Sequence, residues 1–223
     1  MARLVLDGHL PARENMARDE ALLARGEPAV RLYGWRPAAV SLGRSQRARA
    51  VDGRAAAAFG VDVVQRATGG GAILHNEAEV TYAVVVPLDH PGLPRDIPGS
   101  FRFLSQGVLH ALHALGLPAV VESVEGPAVD ALCYVREQGT NVLVGGRKIS
   151  GGAQRRTPSA VLQHGTVIVR RDAARMAALL RADPAVVRER VTSLAAEGVF
   201  VTRERVVEAL IEGFEKALGP LER

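Results

Sequence analysis

Asn141-Val142-Leu143-Val144-Gly145-Gly146-Arg147-Lys148-Ile149-Ser150-Gly151-Gly152 is the stretch that decides the fold. Apolar runs flank a Gly-Gly pair, and two glycines supply the positive φ angles of a two-residue hairpin turn. The pattern predicts that Val144 faces Arg147, Leu143 faces Lys148, Val142 faces Ile149 and Asn141 faces Ser150. Side chains alternate across a strand. Val142, Val144 and Ile149 then point to a core, and Asn141, Leu143, Lys148 and Ser150 share the other face. A lysine flanked by amide and hydroxyl reads as the wall of a site. The plain alternative is an exposed lysine on a solvated hairpin. Gly151-Gly152 argues against it, because glycine weakens a strand unless backbone or ligand must come close.

Lys148 stands out for a second reason. The chain holds 28 lysines and arginines, of which only Lys148 and Lys216 are lysines. Arginine replaces lysine at most surfaces, but it does not readily lose its proton and is not a compact point charge. A lysine kept in this glycine-rich setting is a candidate for chemistry. Cys133, the only cysteine, lies fifteen residues earlier. A nearby ammonium lowers a thiol pKa and makes thiolate available, so Cys133 is a candidate nucleophile. Lone cysteines are more often small buried hydrophobes, and that reading stands beside the catalytic one.

A glycine loop precedes the hairpin: Arg66-Ala67-Thr68-Gly69-Gly70-Gly71-Ala72-Ile73-Leu74-His75-Asn76. Three glycines remove every Cβ, so a flat ligand can lie against backbone amides. Arg66 can hold an anionic group, and His75 can donate or accept. The spacing fits neither a phosphate loop nor a dinucleotide fingerprint. His110 and His113 lie three apart on a predicted helix without a suitably spaced acid, so no metal site is expected.

Around these motifs the chain reads as alternating elements. A helix is expected over 13–25, and strands over Ala29–Tyr33 and Ala38–Leu42 as a hairpin about Gly34-Trp35-Arg36-Pro37. An alanine-rich helix near 51–59 and a strand at 61–65 lead to the glycine loop, then to a strand over 79–86. Phe101, Leu104, Val108, Leu112 and Leu115 recur at helical spacing, predicting one helix over 100–115. Two strands near 140–155, one at 161–169 and three short helices follow, the last at about 202–217. The expectation is an α+β fold in a single domain over 1–223, with a central mixed, largely antiparallel sheet flanked by helices.

Composition narrows the class. The 223 residues are 48% hydrophobic and 23% charged, enough for one large core. One cysteine excludes an intrachain disulfide framework. No run reaches the length of a membrane span and no signal core opens the chain, so a cytoplasmic protein without a membrane partner is expected. The net charge of +4 suits an acidic partner. No basic stripe carries aromatics for base stacking, so nucleic acid is not expected.

Together these motifs resemble the lipoate-protein ligase and octanoyltransferase family, which shares its fold with the catalytic domain of biotin protein ligases. The similarity runs through Asn15 to Leu23, Tyr33 to Pro37, Ser41 to Gln46, Arg66 to Asn76, Gly146 to Gln154, His164-Gly165-Thr166 and Val191 to Leu194. The resemblance implies that Lys148 contacts the acyl carbonyl. It also implies that Arg66, Gly69, Gly70, Gly71, Ala72, His75, Ser150, Gly151 and Gly152 border the acyl substrate, in a narrow apolar tunnel fit for eight carbons.

The family holds two chemistries. Cys133 before Lys148, and Glu79-Val80-Thr81-Tyr82, resemble the LipM-type octanoyltransferases. That resemblance implies transfer of octanoate from octanoyl-acyl carrier protein, through a Cys133 thioester, to a lysine of a lipoyl domain or of glycine-cleavage H protein. No cofactor is then required. The alternative is a lipoate-protein ligase that uses ATP and Mg2+ through lipoyl-AMP, and Gly71 in a triple glycine is a trait of ligases. A non-catalytic acyl-binding subunit on the same fold is the third reading.

Overall fold

The computed structural model describes residues 1–124 and 139–223, and Cys133 lies outside the described residues. In chain order the elements are β1 (Ala2–Leu10), α1 (Ala12–Arg25), β2 (Ala29–Trp35), β3 (Ala39–Leu42), α2 (Gly53–Ala58), β4 (Asp62–Gln65), β5 (Ile73–His75) and β6 (Val80–Pro87). They continue with α3 (Ile97–Leu104), α4 (Gln106–Ala114), β7 (Val120–Val124), β8 (Gly139–Val144), β9 (Arg147–Arg156) and β10 (Ala160–Val167). Helices α5 (Ala173–Leu180), α6 (Pro184–Arg190) and α7 (Arg203–Leu218) and strand β11 (Leu221–Glu222) close the chain. Among the described residues, no helix is long and apolar enough to cross a membrane.

Among the described residues, eight strands form one sheet in the order β11-β1-β2-β6-β10-β9-β8-β7, and β4-β3-β5 form a second. The large sheet is mixed: β1 runs parallel to β2 and β11, and the remaining pairs are antiparallel. The alternation of each strand sorts its residues between two helical layers. Val30, Leu32, Tyr82, Val84, Val161 and Val167 pack with Val108, Leu112, Leu210 and Phe214 of α4 and α7. Ala29, Tyr33, Trp35, Ala83, Val85 and Leu162 face Met16, Leu22 and Leu23 of α1. The small sheet has its own core, in which Val40, Leu42 and Leu74 meet Ala56, Met176 and Leu179.

Two expected elements differ from the structure. The segments around Gly34–Pro37 are not a hairpin, because β2 lies in the large sheet and β3 in the small one. Every residue of both strands is buried, so neither has the solvated face that a peripheral hairpin would show. The helix expected over 100–115 is two helices that break at Ser105, whose hydroxyl accepts a 3.1 Å hydrogen bond from Gln163 Nε2. Strands β1 and β7 were not expected. The alternation of β1 is interrupted by a register shift between Leu6 and His9.

Candidate active site

The decisive hairpin forms at the expected turn, with Gly145 and Gly146 at φ +54° and +73°. Val144 pairs Arg147 and Leu143 pairs Lys148 as the pattern requires. The register then shifts: Val142 pairs Ser150 and Asn141 pairs Gly151, leaving Ile149 as an extra residue. This β-bulge corrects the face reading. A bulged residue reverses the alternation after it, so Lys148 and Gly151 share a face and Ser150 does not. Ser150 falls in the row Val80–Val167–Ser150–Val142, inside the core under α4 and α7. The backbone freed by the bulge is bonded elsewhere. Thr192 N–H donates to Lys148 O at 2.9 Å, and Ile168 N–H donates to Ile149 O at 3.1 Å.

On the α1 face, one row crosses five strands: Tyr33, Thr81, Thr166, Gly151, Asn141. Lys148 is only 6% exposed and lies along that row. A Cβ placed on Gly151 would sit 2.4 Å from Lys148 Cε and 2.7 Å from its Nζ. The glycine is the space that the lysine side chain occupies. Gly152 belongs to the other face, where a Cβ would meet the Tyr82 hydroxyl at 3.3 Å.

Arg66 organises the glycine loop from within. It is 2% exposed and all five of its N–H groups have acceptors. Nε donates to Thr68 Oγ1 at 3.1 Å, and Nη1 to Ser41 O and Oγ at 2.8 and 3.2 Å. Nη2 donates to Gly69 O and Gly71 O at 2.6 and 2.8 Å. In this arrangement Arg66 grips the loop backbone. Gly69 and Gly70 are exposed, and Ala72 is buried in the core of the small sheet. The loop packs tightly on Gly43, where a Cβ would lie 2.0 Å from Gly70 O.

A buried chain of polar groups ties this loop to the first helix. Thr68 Oγ1 lies 2.7 Å from His164 Nε2, and His164 Nδ1 lies 2.8 Å from Asp19 Oδ2. Arg31 donates to the other Asp19 oxygen at 2.6 Å and to Asp7 at 2.6 Å, and Tyr33 donates its hydroxyl to Asp19 at 2.9 Å. Burial, then the charge of Asp19, raises the Tyr33 phenol well above its ordinary value. Sequence reasoning missed Asp19, Arg31 and Thr68 as site residues. The available signal was Asn15 and Asp19, two polar residues one helical turn apart on the same face as Met16 and Leu23.

His75 stacks on Trp35 with ring centroids 4.1 Å apart, and its Nε2 lies 2.8 Å from Ser41 Oγ. Among the described residues its Nδ1 is buried without a hydrogen-bond partner, 3.9 Å from Glu79 Oε2. Burial, followed by the charges of Arg66 and His164, holds the imidazole well below its ordinary pKa. Glu79 accepts from Thr166 Oγ1 at 3.0 Å and Asn76 Nδ2 at 3.1 Å, yet burial pushes its carboxyl up to about 8. At neutral pH the pair is an un-ionised acid beside a neutral ring. A narrow cleft of about 10 Å³, room for one water, lies between Met16, Tyr33, Trp35, Ile73, His75 and Gly165.

Residues 11–215 match the lipoyl protein ligase A/B catalytic domain. The chain belongs to this family. An octanoyltransferase LipM from Kyrpidia tusciae is 39% identical over 97% of this chain and 87% of its own. The LipM octanoyltransferases of Geobacillus kaustophilus and Bacillus subtilis are 34% and 31% identical, each over 97% of this chain and 86% of theirs. Among solved structures, a lipoate-protein ligase A bound with ATP is 28% identical with a TM-score of 0.85, covering 99% of this chain and 86% of that one. A putative lipoate protein ligase from T. acidophilum with bound lipoic acid is also 28% identical, with a TM-score of 0.83 over 99% of this chain and 88% of that one.

Within this family member, the glycine loop, His75, Gly151 and Lys148 gather on the α1 face of the large sheet, and Ser150 and Gly152 lie on the other. His113 Nε2 donates to Ala119 O at 2.8 Å, as a helix-face histidine can. Among the described residues, no group of three or more His, Cys, Asp or Glu is placed to hold a metal ion.

Proposed function

We propose that this protein is an octanoyltransferase. It takes octanoate from octanoyl-acyl carrier protein and delivers it to a lysine of a lipoyl domain or of glycine-cleavage H protein, in the cytoplasm. The observation that carries the reading is the match over 97% of the chain to relatives named octanoyltransferases at 31–39% identity. The buried Lys148, lodged over Gly151, supports it.

The chemistry runs in two transfers. The Cys133 thiolate attacks the carbonyl carbon of the carrier thioester, the carbon–sulfur bond to the carrier breaks, and the carrier thiolate leaves and takes up a proton. Lys148 donates to the oxyanion formed on the way; a donor of that kind in a water-poor site supplies several kcal/mol, of the order of 3. The amine of the acceptor lysine then attacks octanoyl-Cys133. The amide forms, a proton leaves the nitrogen, and the Cys133 thiolate is regenerated. A thioester exchanged for a thioester, then for an amide, runs downhill without ATP or Mg2+. Gly69, Gly70, Gly71, Ala72 and His75 border the acyl chain in this reading. Arg66 acts through the loop that it holds, and Ser150 and Gly152 act through packing beneath Lys148.

Likeness to a ligase bound with ATP favours one competing reading, ATP-dependent lipoate ligation. Transfer from octanoyl-carrier to a lipoyl domain, measured with and without ATP, decides between them. The proposal expects equal rates in both arms. Activity that requires ATP and free lipoate would replace it with the ligase.

A further inference from the structure

The backbone of Lys148 is stitched to the segment that follows α6. Val191 runs alongside Lys148, and Thr192 N–H donates to Lys148 O at 2.9 Å. This tie brings arginines from three separate segments together. Arg171, just beyond β10, donates from Nη1 to Arg188 O at 3.1 Å and to Val191 O. Arg147, the neighbour of Lys148, pairs with Glu197 at 2.7 Å. Burial, then the charges of Arg147 and Arg188, lower the pKa of Arg171, and Glu197 acts the other way. Arg170 is exposed, and its carbonyl accepts from Asn76 Nδ2 at 3.1 Å, one residue past His75.

Of the acids nearby, Glu189 is exposed beside Arg188 and the others are engaged. Asp172 and Asp183 cap the N-termini of α5 and α6. Glu197 accepts from Arg147 and Thr192. Like charges that converge cost free energy unless something anionic completes them. The C-terminal end of α6 accounts for Arg188 through the helix dipole. Glu197 answers Arg147, and two backbone carbonyls hold Arg171, but neither these nor the helix end account for the exposed Arg170.

We infer that Arg147, Arg170, Arg171 and Arg188 form the docking surface for the anionic thioester donor: an acidic carrier protein whose acyl group hangs on a phosphodiester-linked arm. This rests on the transferase reading. The acyl carbonyl must reach Lys148 while the carrier stays outside, so the surface joined to Lys148 meets the arm and the carrier's acidic face. The acceptor brings a cationic lysine, which a cluster of arginines repels. Charge thus selects the donor over the acceptor at this surface.

The test substitutes the two exposed residues, Arg170→Glu and Arg188→Glu, singly and together. Initial rates are measured with octanoyl-carrier, with the uncharged octanoyl thioester of N-acetylcysteamine, and with the lipoyl domain varied. Electrostatic steering predicts that the double variant loses about tenfold or more in kcat/KM for octanoyl-carrier at low salt. Added salt should slow the wild type and affect the variant less. The uncharged thioester and the KM for the lipoyl domain should not change. Unchanged kcat/KM for the carrier, an equal loss with the uncharged thioester, or a shift confined to the lipoyl-domain KM would each overturn the docking surface. A wild type that uses neither thioester would overturn the transferase reading itself, and the docking surface with it.

Discussion

Glu79→Gln should make the fold less sensitive to rising pH. In the folded protein the Glu79 carboxyl titrates at about 8, against 4.5 for an ordinary one. Its folded pKa is raised, so the folded state binds this proton more tightly than the unfolded chain does. The contribution to stability is fully present below about pH 4.5 and is lost as pH rises through about 8. At 1.36 kcal/mol per unit, the loss across that window has an upper bound of about 5 kcal/mol. Glutamine keeps an acceptor for Asn76, and Thr166 can rotate its hydroxyl to accept from the new amide, so the variant should fold. Urea unfolding of both proteins at pH 5 and pH 9 measures the effect. Other groups titrate in both proteins and cancel in the double difference. The wild type should lose at least about 2 kcal/mol more than Glu79→Gln between the two pH values, allowing for relaxation around the buried acid. Parallel pH dependence in the two proteins would refute the buried, un-ionised Glu79.

Other substitutions probe the rest of the site. Gly151→Ala puts a methyl group where the Lys148 side chain lies, so kcat for octanoyl transfer should fall at least about a hundredfold, as for loss of an oxyanion donor, with little change in melting temperature. Lys148→Arg keeps the charge but brings a planar guanidinium to a space shaped for a slender chain; steady-state rates should fall nearly as far. Thr68→Val leaves His164 Nε2 and Arg66 Nε without their shared partner, which should cost about 1–3 kcal/mol in denaturant unfolding, whereas Thr68→Ser should restore most of it.

The hairpin around Gly145-Gly146 was legible because turn chemistry and alternation are local signals. The same is true of α1, α7 and the strand after the glycine loop. The bulge at Ile149 was not legible, because it is fixed by Ile168 and Thr192, which are distant in sequence and bond the backbone that a regular hairpin would pair. It moved Ser150 off the face of Lys148 and put Gly151 there. The separation of β2 from β3 was equally hidden: a turn with proline looks the same whether its strands pair with each other or join different sheets. Lys148, His75 and the glycine loop were visible as residue types in unusual settings. The Asp19–His164–Thr68 chain joins a helix, a strand and a loop across 145 residues of separation, and only the folded sheet brings them together. Glu79 was visible only as part of a motif, since its elevated pKa comes from burial.

The central claim is that octanoate passes through Cys133. Intact mass measured after incubation with octanoyl-carrier tests it most directly. The wild type should carry one octanoyl group, removed by hydroxylamine and absent from Cys133→Ala, which should also lose transfer. A Cys133→Ala protein that keeps full activity, dependent on ATP and free lipoate, would contradict it.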